Sequence, residues 1–177
     1  MKIHIFGASC AGSSTLGKAL SASLNIPYFD TDDYFWEESV IPYTRKRDTQ
    51  LRNAMLSDAI SQLDHYIIGG SLVSWGEEWK TRFNLAVFLY LPPALRLKRL
   101  VLREEQRYGE AIYTNPVRKV LFEEFQQWAK NYDDPVFSGR SLKIHEEWLK
   151  SLSCEQIKIT GNTTVAERIA AIRAVYR

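Results

Sequence analysis

Little in this sequence could staple, span or ligate. Its two cysteines, Cys10 and Cys154, give neither a disulfide framework nor a metal-binding pattern. Its three histidines offer no pair at metal-ligand spacing. The longest apolar run, Leu85 to Leu91, is far too short to cross a bilayer. The N-terminus enters a strand pattern at once, so no secretory signal is expected. A formal net charge of +2 is too small to argue by itself for nucleic acid or a membrane. Repeats, low-complexity tracts and long linkers are missing. These absences point to a reducing, cytoplasmic setting. With 177 residues and 45% hydrophobic content, one domain over 1–177 with a sizeable core is expected.

What is present begins with the stretch Ile3 to Thr15. A short alternating apolar run stops at Gly7, and Gly12 follows five residues later. That is the spacing of the phosphate-cradling loop Gly-x4-Gly-Lys-Ser/Thr. Ser14 stands where the magnesium-binding hydroxyl belongs, and Ser13 replaces the lysine. Gly7, Ala8, Ser9, Cys10, Ala11, Gly12, Ser13, Ser14 and Thr15 therefore form a candidate nest of backbone N–H groups for anionic oxygens. The helix that follows adds free N–H groups and the positive end of its dipole. Neither contribution needs a side chain. The competing reading is a plain glycine turn, and the strand–loop–helix setting favours the phosphate loop. Lys18 lies more than a turn further along the helix and is not assumed to replace the missing lysine.

Taken in order, Lys2 to Phe6 reads as the first strand. Leu16, Leu20 and Leu24, with Ala19, mark the first helix. Tyr28 and Phe29 start a second strand that ends at Asp30, Asp32 and Asp33. A loop rich in aromatic and basic residues spans Tyr34 to Arg47. A helix follows near Asp48 to Leu63, with Leu51, Met55, Ala59 and Leu63 along one face. Tyr66 to Ile68 is the third strand, ending at Gly69, Gly70 and Ser71. Leu85 to Leu91 is the fourth, a continuous apolar run suited to burial on both faces. Pro93 opens a helix that runs through Arg107 and breaks near Gly109. Two helical stretches lie at about Pro116 to Asn131 and Arg140 to Leu152. Gln156 to Ile159 is the last strand. Thr164 and Glu167 make a capping box for a helix with Val165, Ile169, Ile172 and Tyr176 on one face. This alternation predicts an α/β fold with a mainly parallel sheet, whose ligands bind at the carboxyl ends of the strands. Two embellishments lie near residues 34–64 and 103–140.

At this point the chain resembles the nucleoside monophosphate kinase, adenylate kinase and shikimate kinase group of P-loop proteins. The resemblance covers most of the chain in order. It includes the loop Gly7 to Thr15, the step from Asp30 to Asp32, and the pair Gly69 and Gly70, which is similar to the glycine pair of shikimate kinases. Val87 to Pro93, then Arg99 to Arg103, resembles the strand and arginine-bearing helix that lead into the family's lid. Asp133 and Asp134 with Arg140 resemble the post-lid residues of adenylate kinases. Gly161 and Asn162 fall where the family's adenine-contacting loop follows the last strand. The resemblance implies a P-loop NTPase fold with a five-stranded parallel sheet, an acceptor-binding segment at about 34–64, a mobile lid at about 103–140, and transfer of the ATP γ-phosphoryl with Mg2+. It also implies that Arg140, Gly161 and Asn162 meet the nucleotide.

Phosphoryl transfer asks mainly for positioning and positive charge. Without a lysine in the loop, that charge must come from magnesium and arginines. Arg99, Arg103 and Arg107 fall at i, i+4 and i+8, on one helical face, with Arg96 close by. They read as lid arginines around the triphosphate, Arg99 and Arg103 as catalytic. A solvated face paired with Glu104 and Glu105 is the alternative. Asp30 and Asp32 are placed for magnesium or for an acceptor hydroxyl, with Asp30 also read as catalytic; Asp33 reads as a cap. An Asp-rich turn is the alternative there. Arg45 and Arg47, with Arg52 beyond them, suggest an anionic acceptor or equally a surface charge run. Gly69, Gly70 and Ser71 read as acceptor-side residues, or as a tight turn. Tyr34, Phe35, Trp36, Trp75 and Trp79 suit stacking on a ring, or a small core under the loops. His4 and His145 read as structural. Cys10 is either a thiol activated by loop dipoles or inert filler.

Three function classes follow. The first is an enzyme moving a phosphoryl group from ATP to a small acceptor, which remains open between a nucleoside monophosphate, a shikimate-like polyol acid and another metabolite. The second is a non-catalytic nucleotide sensor, motivated by Ser13. The third is a nucleic-acid-associated P-loop protein, suggested by the basic aromatic loop and opposed by the weak net charge. Oligomeric state is not legible.

Overall fold

Strand β1, Lys2–Gly7, runs through the middle of a five-stranded sheet. The computed structural model describes residues 1–175. The other strands are β2 (Tyr28–Asp30), β3 (Tyr66–Gly69), β4 (Leu85–Tyr90) and β5 (Glu155–Thr160). Their order is β2-β3-β1-β4-β5, and every pairing is parallel. The mainly parallel sheet expected from the alternation of strands and helices is therefore wholly parallel. Register brings Asp30 level with Gly69, and Gly69 level with Ile5. The carboxyl ends of three adjacent strands thus lie side by side, where Asp30 closes β2 and the loops after β1 and β3 carry Gly12 and Gly70.

Eight α-helices are present among the described residues: α1 Ser13–Leu24, α2 Thr31–Phe35, α3 Thr49–Ile60, α4 Pro93–Tyr108, α5 Ala111–Thr114, α6 Pro116–Lys130, α7 Leu142–Ser151 and α8 Val165–Val175. Their starts follow from local chemistry. Asp48 accepts the N–H groups of Gln50 and Leu51, Asn115 those of Val117 and Arg118, and Ser141 that of Ile144. The Thr164–Glu167 box forms in both directions. Gly109 ends α4 with φ 57.

Alternation along β1 splits the core into two layers. Ile3 and Ile5 pack with Leu16, Leu20, Ile67, Val87 and Ile172 under α1 and α8. Phe6 packs on the other face with Leu56, Ile68, Phe88, Trp79 and Trp148. A third cluster, Leu100, Ile112, Phe122 and Ala129, joins α4, α5 and α6. No described helix is long and apolar enough to cross a membrane.

The expected inner face of α3 is wrong by one residue. Leu51 and Met55 are exposed, as is Ala59, whereas Arg52, Leu56 and Ile60 are buried. Two stripes one position apart carry similar aliphatic content. Arg52 decides between them, because its guanidinium stacks on Phe35 and Trp75 and can therefore be buried. Val165 and Ile169 pack on the sheet with Ile172, as expected for the last helix; Tyr176 lies outside the described residues.

Candidate functional site

The loop after β1 turns on two left-handed residues, Cys10 at φ 64 and Gly12 at φ 100. Within it, the Ala11 N–H donates to Ala8 O at 3.0 Å. Ser13, Ser14 and Thr15 open α1, so their N–H groups have no intrahelical acceptor. Gly12 adds no side-chain cap. Free donors and a helix dipole together favour an anion here. At Gly7 a Cβ would strike the Leu89 carbonyl oxygen, so this glycine answers the close approach of β1 to β4.

Beside the loop, the Ser14 hydroxyl donates to Asp30 Oδ2 at 2.7 Å. The Tyr28 hydroxyl donates to the same oxygen at 2.9 Å. Asp30 Oδ1 accepts the Asp32 N–H at 3.1 Å and so caps α2. Asp30 is held from three sides. A hydroxyl and a carboxylate are the hard oxygen donors that magnesium takes, usually completed by water and phosphate oxygens, so this donor set fits that ion. The sequence marks Tyr28 only as the start of a strand. Its ring fills the space left by Gly17 and Gly69, where a Cβ would collide with it. Burial, then the Asp30 charge, pushes its hydroxyl well above the usual tyrosine range.

Asp32 and Arg140 are both exposed; each lies close enough for its charge to act on the other, and they form no salt bridge among the described residues. Desolvation, then Asp30, raises the Asp32 carboxyl above its ordinary range, while Arg140 and Arg103 pull it down. Desolvation lowers Arg140, and Asp32 opposes that shift. Arg140 also lies 5.1 Å from the Trp128 ring centre. Expected with the nucleotide, Arg140 lies within electrostatic reach of Asp32.

The other acceptor-side residues divide. Arg45 pairs with Glu37 at 2.9 Å and is largely exposed. Arg47 donates to the carbonyl oxygens of Asp33 and Tyr34, tying down its own loop. Arg52 lies buried between Phe35 and Trp75, donates to Ser74 O at 3.1 Å, and leaves Nε without a partner among the described residues. At Gly69 a Cβ would strike Tyr28, and at Gly70 (φ 104) Thr31, so both glycines answer close packing at the strand end. Ser71 is buried and shares a 3.0 Å hydrogen bond with His145 Nε2, so its hydroxyl serves the core. Trp75 and Trp79 are buried, as in the core alternative, but in the main core rather than a small separate one under the loops.

On the α4 side, Arg99 Nη2 donates to Asn162 Oδ1 at 2.8 Å, in the turn made by Gly161 at φ 86. Arg103 and Arg107 both approach the nearly buried Glu104, at 3.2 and 3.8 Å. Both also lie near enough to Cys10 to draw its thiol pKa down. The contacts with Glu104 fit the paired alternative, and both charges reach the Cys10 side of the loop. Arg96 belongs elsewhere: it is buried, pairs with Asp133 and stacks on Tyr132. Burial nevertheless pushes the Cys10 thiol up, against the activation expected from loop dipoles, and the residue packs against the third cluster as filler. The residue that sequence reading missed altogether is Arg168, whose Nη1 donates to Ala11 O at 3.0 Å. No local signal marks it, since the two positions are 157 apart.

Both central histidines are structural. His4 bonds through Nε2 to Gly70 O at 2.9 Å and accepts from Trp148 at Nδ1, 3.5 Å away. Burial lowers its pKa to about 4. His145 is held by Ser71 and by the Tyr132 hydroxyl at 2.8 Å, and burial drives it well below the usual range.

No family model matches the sequence. Over 167 residues it is 38% identical to the uncharacterized protein YqaC of Bacillus subtilis (strain 168), covering 94% of this chain and 92% of that one. The shikimate kinase of Aquifex aeolicus is a solved structure of the same fold, with TM-score 0.52 and 24% identity over 98% of this chain and 94% of that one. A gluconokinase from Sinorhizobium meliloti matches with TM-score 0.54 and 15% identity over 99% and 93%.

Proposed function

The chain belongs to the family of the Bacillus subtilis protein YqaC and has the fold of the P-loop small-molecule kinases, and from that premise we propose that it is an ATP-dependent phosphotransferase acting on a hydroxyl of a small anionic acceptor. The observation that carries this reading is the Ser14–Asp30 contact beside a loop with free N–H groups, with the Asp32 N–H bonded to Asp30 and the Arg140 charge acting on Asp32.

Each residue has a role in this reading. Backbone N–H groups between Gly7 and Thr15 receive the polyphosphate. Ser14 and Asp30 hold the metal. Magnesium, when bound with the nucleotide, neutralises charge on the β- and γ-oxygens. Arg103 and Arg107 add positive charge on the Cys10 side of the loop, and Arg99 with Asn162 borders the nucleotide. Asp32 accepts the proton of the acceptor hydroxyl as its oxygen bonds to the γ-phosphorus and the bond to the ADP oxygen breaks. Arg140 takes the acceptor's anionic group, the part first given to Arg45 and Arg47, whose guanidiniums are engaged elsewhere.

ADP release, followed across polyol acids, sugar acids and nucleoside monophosphates, tests this. Turnover with one anionic acceptor, lost in Asp32→Asn, is expected. Nucleotide binding with no ADP formed on any acceptor would instead support a non-catalytic nucleotide sensor, the reading that Ser13 in the lysine position favours.

A further inference from the structure

Arg168 and Arg99 bring two guanidiniums to one glycine of the phosphate loop. Built at Gly12, a Cβ would stand 2.9 Å from Arg168 Nη1 and 3.9 Å from Arg99 Nη1. Arg168 is only 5% exposed. Its Nε donates to Thr163 Oγ1 at 2.8 Å, so the start of α8 fixes its direction. Neither arginine makes a salt bridge with a carboxylate among the described residues. Burial lowers the Arg168 pKa, and the Arg99 charge lowers it further. Two adjacent cations without a counter-ion are costly unless an anion completes them.

The bond to Ala11 O adds an orientation effect. The described chain has no cis peptide bond, and in a trans peptide the C=O and the next N–H point in opposite directions. By holding the Ala11 carbonyl on its own side of the loop, Arg168 turns the Gly12 N–H to the other side. Ser13, which leaves the loop without its cation, is the next residue.

We propose that Arg168 is a positioning residue of the nucleotide site: it stands behind the loop, aims the Gly12 N–H at the polyphosphate, and with Arg99 supplies the positive field that a lysine at position 13 would give from within. This rests on the loop's being a nucleotide site.

ADP binding without acceptor, measured calorimetrically, separates the two. The set is wild type, Arg168→Met, Ser13→Lys and the double variant, each with its melting temperature. Arg168→Met should weaken ADP by about ten- to a hundredfold, as loss of a nearby positive charge and of the bond that holds the Ala11 carbonyl does. Ser13→Lys should recover most of that loss in the double variant without recovering any lost melting temperature, because a lysine inside the loop restores charge and not the Thr163–Ala11 link. If Arg168→Met does not fold, Arg168→Gln, which keeps a donor for Ala11 but no charge, carries the same expectation. Unchanged ADP affinity in the neutral variant, or no recovery by Ser13→Lys, overturns the proposal while leaving the nucleotide site intact. A wild type that binds no ADP removes the site itself and the proposal with it.

Discussion

The Ser14 hydroxyl and the Asp30 carboxylate, from α1 and the end of β2, meet at 2.7 Å. Ser14→Ala should remove the magnesium dependence of ADP affinity, lowering apparent metal affinity by about 10–100-fold. The fold should survive, since Tyr28 and the Asp32 N–H still hold Asp30. Titrating ADP with and without magnesium checks this. An unchanged ratio between the two affinities contradicts the metal role.

Asp32→Asn should cut turnover by about 10²–10⁴-fold and leave ADP affinity near wild type. The carboxyl must be ionised to accept a proton, and its pKa is raised chiefly by desolvation. The rate should therefore fall as pH drops through a value above the ordinary carboxylate range. A wild-type acid limb within or below that range contradicts the assignment.

Arg140→Met separates acceptor binding from nucleotide binding. Beside Asp32, it should raise the acceptor KM and leave ADP affinity unchanged. Weakened ADP binding with an unaltered acceptor KM would return Arg140 to the nucleotide.

His4 makes stability depend on pH. Its folded pKa is lowered to about 4 by burial, below the unfolded value near 6.5. Between these values the unfolded chain binds the extra proton, so stability falls as pH falls. The loss from this group is roughly 3 kcal/mol across the window, and His145 acts in the same direction. Urea unfolding of wild type and His4→Phe from pH 7.5 to 4.5 measures it. The wild-type curve should fall more steeply than the variant's. Parallel curves contradict the assignment.

The sequence carries local features well and distant ones poorly. Gly7, Gly12 and Ser14 are legible because a loop feeding a helix has fixed spacing, and Thr164 with Glu167 because a capping box spans one turn. The strands β1 and β4 declare themselves through apolar runs. The buried face of α3 was misread because only tertiary stacking on Phe35 and Trp75 makes Arg52 an inward residue. Asp30 was legible as a strand-end acid, but Tyr28, which orients it, looked like ordinary strand. Arg168 bonds to Ala11, and the Arg140 charge acts on Asp32, across long sequence separations. Their roles depend on how the helices sit over the sheet, which no local pattern encodes.

The central claim is that the main chain around Gly12 gathers a polyphosphate without the loop lysine. Backbone amide NMR during titration with ADP and magnesium tests it most directly. The account predicts saturable downfield shifts of the Gly12, Ser13, Ser14 and Thr15 amide protons, larger than those elsewhere. Amides that stay still at millimolar nucleotide, or shifts confined to residues away from this loop, would contradict it.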